Sequence, residues 1–141
     1  MNNHKVYTII LVLISLFSCS NEVRTPQSIT KALIGFEIKK NINVIEFNDQ
    51  WGSMTGDGMS FIVYKINTNQ LQSLKDSCKA KDFKTLPIRE SLPDGFINHY
   101  LNPSDTIGFY WLDIDKKDNR NYCIVILSEV SKRLIVYNVV N

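Results

Sequence analysis

Tyr122-Cys123-Ile124-Val125-Ile126-Leu127-Ser128, the polar turn Glu129-Val130-Ser131-Lys132, and Leu134-Ile135-Val136-Tyr137-Asn138-Val139-Val140 decide the fold. Each apolar run is strand-length, β-branched and free of Gly and Pro, which suits a strand buried on both faces. A polar link this short can join only antiparallel neighbours, because a parallel pair needs a long crossover. Just upstream, Thr106 to Asp113 alternates: Ile107, Phe109 and Trp111 fall on one side, and Gly108, Tyr110 and Leu112 on the other. The polar segment Lys116 to Asn121 joins it to the next strand, so the chain closes in a three-stranded meander.

Working back from the meander, Asn67 to Lys79 changes period. Leu71, Leu74 and Cys78 share one helical face, Gln70, Gln72 and Lys75 point away, and Thr68 or Asn69 is placed to cap the start. Met59 to Ile66 reads as a strand, and Asn43 to Phe47 as a weaker one. Between them Trp51 to Gly58 holds three glycines around Gly56-Asp57-Gly58, a turn composition that makes the two strands a hairpin. A short helix capped by Ser28 or Thr30 runs through Leu33 and Ile34 and is stopped by Gly35. Lys81 to Pro103, with Pro87, Pro93, Gly95 and Pro103, is a long irregular connection expected to cross an end of the sheet. The order α-β-β-α-β-β-β predicts an α+β domain, one antiparallel sheet of about five strands with both helices largely on one face.

Near the start of the chain come Lys5, an apolar run from Val6 to Phe17, and Leu16-Phe17-Ser18-Cys19. The run is too short to span a bilayer and has the length of a signal-peptide core. With a small residue directly before the cysteine, an aliphatic one three before it and the polar pair Ser20-Asn21 after it, this segment resembles a bacterial lipoprotein signal. The resemblance implies removal of residues 1–18, lipidation of Cys19 by acyl chains such as palmitate, and permanent membrane anchoring. It further implies the cell envelope as location, and the outer membrane if the organism has one, since position 20 is not Asp. Residues 19–27 then read as a tether and 28–141 as one domain of ordinary size.

Met1 to Ser18 contain one Lys and no acid, which leaves 15 basic and 14 acidic side chains in the mature chain. So balanced a surface gives no field for nucleic acid, and no nucleic-acid partner is expected. With Cys19 assigned to lipid, Cys78 and Cys123 remain. Each lies in an apolar pattern and reads as a small buried hydrophobe, with a disulfide between them as the lesser alternative. No cysteine or histidine spacing suggests a metal, and no cofactor motif is present.

Asp113, Asp115, Asp118, Asn119 and Asn121 superficially follow a calcium loop, but Lys117 and Asp118 stand where the third acid and the obligatory glycine belong. A hairpin turn is the better reading. Asp49 and Asp57 beside the glycines could bind a cation, although Asp-Gly more often supplies a tight turn. The mature chain has one histidine, His99, and pairing it with Cys78 gives no third member, so no catalytic residue is assigned. Gly56-Asp57-Gly58 matches neither phosphate-binding glycine pattern. The aromatic residues are more informative: Phe61, Phe109 and Trp111 are expected in the core, while Trp51, Asp57 and Tyr100 are the candidate binding residues.

The succession Ile34-Gly35, strand, Gly56-Asp57-Gly58, strand, amphipathic helix and aromatic meander is similar to that of small uncharacterised bacterial envelope proteins, which implies a fold and no activity. The expected function is that of a non-enzymatic envelope lipoprotein whose small domain binds a protein or other extracytoplasmic ligand, an immunity-type protein being one form. The alternative is a small envelope hydrolase working through the 81–103 loop.

Overall fold

The computed structural model describes residues 23–52 and 56–141; the signal segment 1–18 and Cys19 lie outside the described residues. Helix α1 spans Pro26–Ile34, β1 Asn43–Trp51, β2 Gly58–Lys65, α2 Thr68–Ala80, β3 Lys84–Thr85, β4 Gly108–Ile114, β5 Tyr122–Ser128 and β6 Arg133–Val140, with a 3-10 turn at Phe96–His99. The strands form one antiparallel sheet in the order β1-β2-β6-β5-β4-β3. The α+β class and the closing meander are as the sequence predicts. The sheet has six strands rather than about five, because Lys84 and Thr85 pair with Tyr110 and Phe109 as a short edge. Two residues between a helix and a Pro-rich stretch carry too little periodicity to be read as a strand.

Both helix starts differ from expectation by a few residues, for the same reason. Thr25, not Ser28 or Thr30, caps α1: its hydroxyl accepts from the Ser28 amide at 3.1 Å while Ser28 Oγ accepts from the Thr25 amide at 2.9 Å. Pro26 then occupies the first helical position, where its missing N–H costs nothing. The helix therefore takes Pro26 and Gln27 from the segment read as tether. Thr30 is buried instead, and its hydroxyl lies 2.7 Å from that of Tyr64. Asn67 and Gln70 form the corresponding reciprocal pair at α2. Gly35, at φ 68°, ends α1 in the left-handed conformation that glycine adopts most easily.

Strands β5 and β6 occupy the middle of the sheet, and successive side chains enter two separate cores. Val125, Leu127, Leu134 and Val136 join Ile62, Tyr64, Leu74, Cys78 and the α1 residues Ile29 and Ile34 on the helical side. Ile124, Ile126, Ile135 and Tyr137 join Phe61, Val63, Leu86 and Ile97 on the other. That second face is covered by Ile88, Leu92, Phe96, Tyr100 and Leu101. The 81–103 connection is thus a lid across a whole face rather than a strap over one end. Both helices do lie on one side, and that is the reason for the lid: two buried faces need two covers.

In β4, Phe109 and Trp111 face the helices while Tyr110 and Leu112 face the lid. Ile107 departs from the expected alternation, for it precedes the strand and is 58% exposed. Gly108, at φ 144°, starts the strand where a side chain would lie 1.9 Å from the Leu127 carbonyl oxygen. Cys78 and Cys123 are buried free thiols, and burial pushes both up to about 12. They behave as small hydrophobes.

Strand β6 bonds to β2 on one edge and β5 on the other, with Leu134 to Tyr137 all buried. Deleting residues 134–141 removes several side chains worth roughly 1.5–3 kcal/mol each and splits the sheet. The expected result is loss of the cooperative thermal transition by circular dichroism; a truncated protein that melts like the parent would make β6 peripheral.

Candidate functional site

Period-two geometry places Asp49 and Trp51 on the same face of β1, and the pairing of Asp49 with Ser60 brings a hydroxyl between them. Ser60 Oγ donates to Asp49 Oδ1 at 2.6 Å. The Trp51 indole N–H donates to the same oxygen at 2.8 Å and reaches Ser60 Oγ at 3.2 Å. Arg24 arrives from the segment before α1 and closes the cluster. Its Nε and Nη2 donate to the two carboxylate oxygens at 2.8 and 3.2 Å, and its guanidinium carbon stands 4.7 Å from the centre of the Trp51 ring. A planar fork against a carboxylate and an aromatic face is the contact arginine makes best.

Trp51 is therefore the last residue of β1 rather than a member of the glycine-rich loop, and it is 37% exposed. It pairs with Gly58, where a Cβ would come within 2.7 Å of the indole. Glycine is required there so that the ring can lie across the strand. Burial alone would raise the Asp49 pKa; hydrogen bonds from Arg24, Ser60 and Trp51, with the arginine charge, outweigh it and hold the carboxyl below the usual range. Asp49, read as a possible cation ligand, already has its cation in Arg24. Beside the cluster a groove of about 270 Å³ runs between α1 and the sheet, lined by Ser28, Ile29, Leu33, Trp51 and Asn138.

The three candidate binding residues do not converge on one patch. Asp57 is exposed at the Trp51 end of the sheet, where its carbonyl accepts from the Gly52 amide at 2.6 Å. Tyr100 lies on the opposite face, its ring 4.3 Å from that of Phe61 and its hydroxyl donating to Glu46 at 3.1 Å. What connects the two faces is β1 itself. It is an edge strand with one neighbour, and it exposes Ile45 by 52%, Phe47 by 42% and Trp51 by 37%. The edge carries neither Lys nor Pro, but a register shift between Val44 and Glu46 interrupts it, so the regular stretch from Glu46 to Trp51 is the part with a free side for a further strand.

A second groove, of about 580 Å³, lies over the lid and is lined by Leu86, Glu90, Asp94, Asn102, Asp105 and Thr106 among others. Two of its carboxylates are tied down. Lys84 and the Tyr110 hydroxyl both donate to Glu90 and hold it at about 2, while Asp105 accepts from Ser128, from the Asn102 amide at 3.0 Å and from Arg133 at 3.3 Å. His99 is exposed and is not part of the groove lining. In the 115–121 turn, Asp115 accepts from the Lys117 amide and Asp118 from Arg120, which are hairpin roles. Among the described residues no three His, Cys, Asp or Glu side chains gather as a metal site, and no helix is long and apolar enough to cross a membrane. Comparison of the chain with family models, curated proteins and solved structures finds no match.

Sequence reasoning singled out Trp51, and Asp49 as a possible cation ligand, but missed Arg24 and Ser60. The Asp49/Trp51 spacing was a usable signal. Arg24 was not, since it contacts residues 25 and 36 positions away.

Asp49→Asn is expected to lower stability by about 1 kcal/mol at neutral pH, the scale of a charge-assisted surface contact. Because the Asp49 pKa is depressed, this stabilisation is present above the ordinary Asp value and fades as pH falls through the lowered one. Denaturant melts of parent and variant should therefore converge in acid; a gap that stays constant with pH would show that the carboxylate charge contributes nothing.

Proposed function

We propose that this protein is an envelope lipoprotein, anchored through lipid on Cys19, whose small domain binds a protein partner without catalysing a reaction. The observation that carries the binding reading is the β1 edge: a strand paired with β2 on one side only, with Ile45, Phe47 and Trp51 exposed along it. Scattered apolar side chains on a surface are ordinary, but three on one open edge strand offer both backbone hydrogen bonds and side-chain contacts to an extended segment. An immunity-type role fits this geometry, because a toxin could be held by strand addition. Tyr100 donates to Glu46 of the same strand from the opposite face of the sheet.

The hydrolase alternative has the groove over the lid in its favour. Against it stand the ion pairs and hydrogen bonds that occupy Glu90 and Asp105, and the position of His99 outside the lining. A general base needs a carboxylate or imidazole available to a substrate proton.

Two measurements test this reading. Cys19→Ala should abolish incorporation of a fatty-acid analogue and membrane retention while leaving the melting temperature of the domain unchanged; undiminished labelling would refute the anchor. Affinity capture from the native membranes should recover a partner that Phe47→Asp loses, at a cost to fold stability of less than about 1 kcal/mol for so exposed a position. Capture unaffected by Phe47→Asp would move the binding surface away from β1.

A further inference from the structure

We propose that the end of the sheet carrying Trp51 and the 115–121 turn is the surface this domain lays against the lipid headgroups, with Trp51 in the interfacial layer. The inference rests on lipidation of Cys19. It follows from where the tether is fastened. Arg24 is held by Asp49 and lies over Trp51, and from Thr25 onward the chain is committed to α1. Only Ser20, Asn21, Glu22 and Val23 separate Cys19 from Arg24. Even fully extended, that stretch spans about 18 Å, less than the roughly 26 Å length of an eight-residue strand. The fastened end of the domain is thus confined to the neighbourhood of the bilayer, a limit that the far end, more than the tether's reach away, does not share.

Strand register defines which residues share the fastened end. Trp51 pairs with Gly58, Gly58 with Val140, Val139 with Tyr122, and Tyr122 with Ile114. The turn between β4 and β5 is consequently at the same end, where the Asn141 side chain donates to the Arg120 carbonyl at 3.0 Å. The opposite end holds Val130 and Ile107, adjacent through the bond from the Glu129 amide to the Ile107 carbonyl. Along this end of the sheet, from Trp51 to the 115–121 turn, the cations Arg24, Lys116, Lys117 and Arg120 face at least as many carboxylates, Asp49, Asp57, Asp113, Asp115 and Asp118. Charge therefore does not draw this end to an anionic surface. The tether supplies proximity, and a half-exposed indole with an engaged N–H suits the boundary between water and acyl chain.

The test uses the full-length acylated protein in phosphatidylcholine vesicles. The chain has two tryptophans, and Trp111→Phe leaves Trp51 as the only emitter. In vesicles whose lipids are brominated just below the headgroup, Trp51 emission should be lost relative to unbrominated vesicles. A reporter at the far end, V130W in a W51F/W111F background, should keep its emission. Spin labels on Lys117→Cys and Val130→Cys provide the same comparison by lipid-soluble oxygen broadening, should the tryptophan variants fold poorly. A protein that floats with the vesicles yet shows equal effects at both ends would overturn this orientation and leave the lipoprotein reading standing. A protein that neither takes up a fatty-acid analogue nor floats would overturn both.

Discussion

The structure depends on β6 being paired along both edges. It ties the β1-β2 hairpin to the β3-β4-β5 part of the sheet, and without it neither half has a complete face. A central strand with apolar side chains pointing both ways cannot be half-solvated, so the chain has to supply a cover for each side. On one side α1 and α2 do this with amphipathic faces. On the other, a helix is replaced by an irregular segment that contributes Ile88, Leu92, Phe96, Tyr100 and Leu101, anchored by Arg133 donating to the Tyr100 carbonyl at 2.8 Å.

That constraint changes the meaning of the longest loop. Length alone makes such a segment a candidate active-site element. Here the same residues close a core containing Phe61, Ile97, Ile126 and Ile135, and the aromatic rings of Phe61, Phe96, Tyr100 and Tyr137 pack edge to face and in tilted stacks. Two surfaces are left that the covers do not use, the open edge of β1 and the end of the sheet at Arg24, and these carry the proposed binding and membrane-facing roles. Under the proposed anchor at Cys19, Arg24 is the point at which the tether would meet the domain.

Much of this was legible in the residues. The β5 and β6 runs announced strands buried on both sides, and Gln70 to Cys78 announced a helix lying on a sheet. Those signals are periodic and local. The second cover was not legible, because Leu86 to Leu101 has no period: its apolar residues are spaced by prolines and turns, and only the presence of an uncovered face explains where they go. The same limit applies to the site. Trp51 stood out as a large aromatic beside glycines, but its role depends on Arg24 and Ser60, which approach through tertiary structure. Tyr100 and Trp51 looked like parts of one patch only while the faces of the sheet were unassigned.

Native-state hydrogen exchange tests most directly whether the 86–103 segment is a structural cover. The amides of Tyr100 and Leu101, bonded to the Ile97 carbonyl, and of Leu86, bonded to Gly108, are the reporters. A cover that completes the core opens only with the core, so these amides should share the protection of β5 and β6 and lose it in the same global transition. Exchange at the rate of free chain while β5 and β6 remain protected would contradict the account, and would return this segment to the role of a mobile functional loop.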